Sequence, residues 1–197
     1  NQFNNYAGNV DIVVTLINNL IHNNEYGAVI VDEDKSAGSS VTVTGGNNRV
    51  TNNLVGYDIY TKGDGEVHVN LTGDTITGNA DTAGGGVLVE HTGSVGTSTY
   101  DVNIARSNIS GNSPQGVLAM TGISVNAANN WWGSEAGPGV GGNNDTSGSV
   151  TTAPFARALV ASTTHSTHEV GETGTLDTNV TANGVYGAQL LVNNNTS

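Results

Sequence analysis

Cysteine is absent from this chain, and proline nearly so, with three residues in 197. Without thiols there is no disulfide framework and no thiolate metal site, and the redox compartment is left open. Basic residues are scarce: five Lys and Arg stand against 17 Asp and Glu, a formal charge of −12. Phosphate backbones are bound by clustered cations, so nucleic acid is excluded as a partner, and an anionic membrane surface with it. No apolar run approaches the ~20 residues of a membrane span. Hydrophobic content is a modest 36 %, which suits a fold whose parts each bury only a few side chains. The chain opens Asn1-Gln2-Phe3, with neither Met nor a leader-like segment, and reads as a processed or excerpted piece.

What the chain has is glycine (28 residues), much Asn and Thr, and repetition. Asn18-Asn19-Leu20-Ile21-His22-Asn23-Asn24 is restated as Asn47-Asn48-Arg49-Val50-Thr51-Asn52-Asn53. It returns as Asp74-Thr75-Ile76-Thr77-Gly78-Asn79, Ser107-Asn108-Ile109-Ser110-Gly111-Asn112 and Asn129-Asn130-Trp131-Trp132-Gly133. With Ile21, Val50, Ile76, Ile109 and Trp132 as anchors, the spacings are 29, 26, 33 and 23 residues, the range of solenoid repeats. Nine and seven residues before each anchor stand Ile12/Val14, Val41/Val43, Val67/Val69, Tyr100/Val102 and Ile123/Val125. Five before come Leu16, Gly45, Leu71, Ile104 and Ala127, and polar residues lie between. That is the period-two pattern of strands with one buried face.

Three residues after the first four anchors comes Asn: Asn24, Asn53, Asn79 and Asn112. Stacked on one another, these side chains form an internal amide ladder. A glycine then opens a second apolar run at Gly27, Gly56, Gly86 and Gly116, marking a corner of close backbone approach. The expected fold is therefore all-β: a right-handed parallel β-helix of five to six coils, whose alternative is an antiparallel sandwich with coincidental Asn-rich turns. Parallel pairing follows because each coil bonds to the coils above and below it.

These residues carry a family resemblance. The repeat, with Asn129-Asn130-Trp131-Trp132-Gly133 and the following Gly137-Pro138, resembles the parallel β-helix of the pectate-lyase-like superfamily, in the form seen in secreted and surface proteins. It covers residues 1–140 and implies an extracellular or cell-surface location. It does not fix activity, since the superfamily spans lyases, hydrolases, adhesins and structural proteins. After it, 141–153 reads as a Gly/Asn-rich linker, and 154–197 as a C-terminal β segment whose Val170-Gly-Glu-Thr and Val185-Tyr-Gly-Ala-Gln-Leu resemble the first strands of a cohesin-like sandwich.

Trp131 and Trp132 are expected to cover the open end of the core, a sugar-stacking platform being the alternative. β-Helix lyases need a carboxylate cluster for calcium and a basic residue, and hydrolases of this shape need facing carboxylates. Arg49 and Arg106 stand in different columns without a carboxylate column beside them. The favoured reading is thus a non-catalytic structural rod with no catalytic residues and no required cofactor. A polysaccharide lyase or hydrolase and a carbohydrate-binding module are its rivals. Asp32, Asp34, Asp64 and Glu66, on neighbouring loops of an acidic flank, are candidate calcium ligands, against a solvated acidic edge. Outward positions Val29, Tyr60, Leu88 and Leu118 form an apolar stripe on which the C-terminal segment or a neighbouring subunit would pack. Finally, Thr175, Leu176, Val180, Ala188, Leu190 and Val192 lie in strands too short to fold alone. Strand addition to a second copy of the chain would order them and propagate a filament. Sequons stand at Asn70, Asn108, Asn144, Asn179, Asn194 and Asn195.

Overall fold

A computed structural model describes residues 2–5, 11–32, 38–82, 84–91, 98–140 and 145–160. Among them there is no helix, and the chain winds into a parallel β-solenoid of about four complete turns, with partial turns at both ends. Sheet A contains, in order, β1 (Gln2–Asn5), β4 (Tyr26–Asp32), β7 (Val55–Thr61), β10 (Val87–His91), β13 (Gln115–Ala119) and β15 (Asp145–Ser147). Sheet B runs from β2 (Asp11–Ile17) through β5 (Ser40–Gly46), β8 (Glu66–Thr72), β11 (Thr99–Ala105) and β14 (Ser124–Asn126) to β16 (Ser149–Thr151). Sheet C is narrower: β3 (Leu20–His22), β6 (Arg49–Thr51), β9 (Thr75–Thr77) and β12 (Asn108–Ser110).

The register is the one read from the repeats. Val14, Val43, Val69, Val102 and Val125 face one another down sheet B, and Ile21, Val50, Ile76 and Ile109 down sheet C. Trp131 bridges Asn108, which puts Trp132 beside Ile109 in the anchor column. All five anchors are buried, as are Val41, Val67, Leu71, Ile104 and Ile123. Ile12 and Val14 of the first coil are only half-buried. At the corner into sheet A, a Cβ on Gly27, Gly56 or Gly86 would run into the carbonyl oxygen of the glycine one coil on. These glycines stand there because two backbones approach too closely for any side chain.

Two tight bends flank sheet C, and each uses two residues for two purposes. The first residue takes the left-handed conformation: Asn18, Asn47, Gly73, Arg106 and Asn129 at one bend (φ 51–76°), Asn23, Asn52, Gly78 and Gly111 at the other (φ 56–66°). Asn and Gly enter this region at the least cost. The second residue points inward and accepts a hydrogen bond from the amide one coil back. At the second bend the N–H of Asn24 donates to Asn53 Oδ1, that of Asn53 to Asn79 Oδ1 and that of Asn79 to Asn112 Oδ1, at 3.0–3.1 Å. Their Nδ2 groups close the ladder on the carbonyls of Ile21, Val50 and Ile76.

The first bend holds a second ladder in which residue types vary while the acceptor oxygen stays. Asn19 N–H donates to Asn48 Oδ1, Asn48 N–H to Asp74 Oδ1, Asp74 N–H to Ser107 Oγ and Ser107 N–H to Asn130 Oδ1. Buried amides that a bend removes from the sheet are thereby satisfied at every turn.

Three expectations are corrected here. Within the expected linker 141–153, residues 145–151 are not a linker, because β15 and β16 extend sheets A and B in parallel with β13 and β14. The cause is continued backbone pairing, which needs no apolar alternation. The stack is closed one layer beyond the tryptophans: Trp132 is fully buried, while Phe155 packs on the core and Ala156 bridges Trp131. Ala156 is buried, and the main chain of Val160 exchanges two hydrogen bonds with the Asn108 side chain, so 154–160 belongs to the solenoid. The count of five to six coils becomes four complete turns with partial ones at the ends.

Candidate functional site

The outer face of sheet A holds the least expected chemistry. Its outward columns are Val29, Asp58, Leu88, Leu118 and, two residues on, Val31, Tyr60, Glu90. The sequence implies an apolar stripe here, covered by the C-terminal segment or a neighbouring subunit. The structure closes much of it: Val31 and Leu88 are buried, Val29, Tyr60 and Leu118 are half-buried, and Met120 is 39 % exposed. Part of the cover is the chain's own insertion at 80–85. Gly84 is buried against Leu88, so close that a Cβ there would lie 3.0 Å from the Leu88 Cβ.

In this covered face sits Asp58, 5 % exposed, with an Oδ1 that has no hydrogen-bond partner. Burial, then the neighbouring Glu90 carboxylate, push its pKa from 3.8 up to about 7. Glu90 is itself raised by burial, with His91 pulling the other way. The Tyr26 phenol is raised by burial and then by Asp58, Glu25, Asp81 and Glu90. The region is therefore an acidic niche. Lys62 lies 5.7 Å above the Tyr60 ring, the geometry of a cation over an aromatic face.

A second buried carboxyl lies inside the stack. Asp74 Oδ1 accepts from the main-chain N–H of Asn48 at 2.8 Å, and Oδ2 accepts from the Tyr57 hydroxyl at 2.7 Å. Burial raises the Asp74 pKa, and these donors oppose the rise. The Tyr57 hydroxyl is driven well above its ordinary value by burial and then by Asp74. With its oxygens occupied by ladder donors, Asp74 is a structural acceptor.

The acidic loop flank is only partly assembled. Asp64 is half-buried in the turn between β7 and β8. Glu66 Oε2 is 3.3 Å from His68 Nε2, and His68 Nδ1 is 3.8 Å from Asp101 Oδ2. Asp32 ends β4 in register with Thr61; its side chain and all of Asp34 lie outside the described residues. Among the described residues no three of His, Cys, Asp or Glu converge to hold a metal. Thr61 and Gly63 are tied instead to Ser98 and Tyr100, at the start of the next coil. The Tyr100 hydroxyl bonds to Glu90 O and receives the Thr61 N–H, and the Ser98 hydroxyl donates to Gly63 O.

A groove of about 620 Å³ follows the outside of the corner between sheets B and C. Its lining includes Thr15, Ile17, Thr44 and Gly46, together with Arg106 and Val160. Arg106 occupies a left-handed bend position otherwise held by Asn or Gly. Of the sequons, Asn108 is buried and bonded to Val160, whereas Asn70 is exposed on sheet B. The strand-addition residues Thr175, Leu176, Val180, Ala188, Leu190 and Val192 lie outside the described residues.

The chain matches no family model, no curated protein and no solved structure. The candidate sites therefore stand on their geometry.

Proposed function

We propose that this chain is a non-catalytic structural protein of the cell exterior, a rigid β-helical rod related to the surface proteins of the pectate-lyase-like superfamily. The observation that carries the reading is the pair of side-chain ladders that run unbroken through the stack. They fix each coil on its neighbours and leave the outward face of sheet B lined with residues such as Thr42, Thr44, Asn70, Asn103 and Asn126. Stability of such an array accrues coil by coil through nearest-neighbour contacts, which is the property a load-bearing rod needs.

Head-to-tail assembly is part of this proposal. Among the described residues, β2 and β3 pair on one side only, and a second copy can continue their ladders. The stretch 175–192, with Thr175, Leu176, Val180, Ala188, Leu190 and Val192, is the proposed joining segment. Sedimentation of the full chain across a concentration series is expected to show growing assemblies, and a chain lacking 165–197 is expected to stay monomeric. A monomer at high concentration, or assembly undiminished by the deletion, contradicts it.

The groove beside Arg106 favours a second reading, a carbohydrate-binding module or a polysaccharide lyase or hydrolase. Incubation with acidic and neutral polysaccharides, with and without calcium, separates the readings. The rod account expects no turnover, while binding abolished by Arg106→Ala would move the assignment to the groove.

A further inference from the structure

We propose that Asp58 and Glu90 bind a hydrated divalent cation of the hard, oxygen-preferring kind, calcium or magnesium, on the outer face of sheet A beside the 80–85 insertion. Asp58 stands directly opposite Leu88 in the sheet, and Glu90 is two residues further along the same strand. Both side chains leave the same face, and a diagonal pair of this kind is separated by about 7–8 Å at the backbone, within reach of the longer Glu. The Asp58 Oδ1 is the anchoring observation. It is buried without a hydrogen-bond partner on a carboxylate that is 5 % exposed, and a buried acceptor in that state calls for a ligand.

Glu90, on β10, is the charged group that acts on Asp58. Asp58, Glu25, Asp81 and Glu90 together act on the Tyr26 hydroxyl of β4, so the charges that gather here are of one sign. His91 acts on Glu90 from the far side, and Lys62 is stacked over Tyr60. A cation there offsets the burial that disfavours the Asp58 carboxylate and, after it, the repulsion from Glu90. Two carboxylates without a third ligand do not make a closed cage, which fits an ion that keeps several of its waters. The site is separate from the acidic loop flank of Asp64 and Glu66, and it does not depend on the rod reading.

Calorimetric titration of the full chain with calcium chloride and, separately, magnesium chloride at pH 7.5 and constant ionic strength tests the proposal. The expected result is saturable one-site binding that raises the thermal midpoint. Asp58→Asn and Glu90→Gln are each expected to weaken it by at least about tenfold, since each removes one of two anionic ligands. The double variant Asp64→Asn with Glu66→Gln is expected to leave it unchanged. Below pH 7 the affinity falls, by up to about tenfold per pH unit, as proton and metal compete for Asp58. Glu90→Gln, on a half-buried side chain, keeps the test open if Asp58→Asn does not fold. No saturable binding, binding indifferent to both niche variants, or binding lost only in the Asp64/Glu66 variant overturns the proposal.

Discussion

At the bends of this chain an Asn-Asn pair is two instructions: the first residue accepts a left-handed backbone, and the second gives its oxygen to the coil behind. The ladders are therefore the most mutation-sensitive polar residues. Asn79→Ala leaves the Asn53 N–H and Nδ2 without their shared acceptor, and removes the side-chain donor to the Val50 carbonyl. Stranded buried groups cost about 1–3 kcal/mol each, so chemical denaturation should register a loss of about 3 kcal/mol. The same change at exposed Asn24 should cost about 1 kcal/mol or less.

Asp58 gives the residue scale a pH dependence. Its proton is held to about 7 in the folded chain against an ordinary 3.8. Between these values the folded state binds more protons than the unfolded one, so stability is full below about pH 4 and falls as pH rises through 7. The loss is on the order of a few kcal/mol. Glu90 and Asp74, also raised, act in the same direction. Without divalent cations, unfolding free energy should fall from pH 5 to pH 8 in the native chain, with the slope much flattened in Asp58→Asn.

Among the elements, the strands of sheet B and the anchors of sheet C were legible in the sequence because period-two burial against a stacked neighbour leaves a column at each repeat. Val43, Val69 and Val102 are buried where those columns put them. The strands β15 and β16 were not legible: Asp145-Thr146-Ser147 and Ser149-Val150-Thr151 pair through backbone and carry no alternation to read. The first ladder escaped for a related reason. Asn48, Asp74 and Ser107 share an oxygen and not a residue name. The closed outer face of sheet A depends on an insertion folding back, which no column records. At this scale Gly56→Ala is diagnostic, since its methyl would meet the Gly86 carbonyl, a backbone atom that cannot swing aside. It should cost about 2–3 kcal/mol by thermal unfolding, whereas Gly122→Ala, in open space but at φ 88°, should cost about 1 kcal/mol through strain alone.

For the whole molecule the account reduces to one claim: successive turns lie parallel and in register as a single rod. The absence of cysteine makes this directly testable, because an introduced pair has no competitor. Thr44 faces Asn70 across β5 and β8, one turn apart on the solvent side. Facing strand residues lie within the Cα separation a disulfide spans. The account predicts that Thr44→Cys with Asn70→Cys forms an intramolecular disulfide on mild oxidation in high yield, seen as a loss of two mass units in the monomer. Thr15→Cys with Asn70→Cys, two turns apart at about 9–10 Å, should not close. Failure of the first pair to cross-link in folded protein, or closure of the second with equal yield, would contradict the stacked register on which the rod depends.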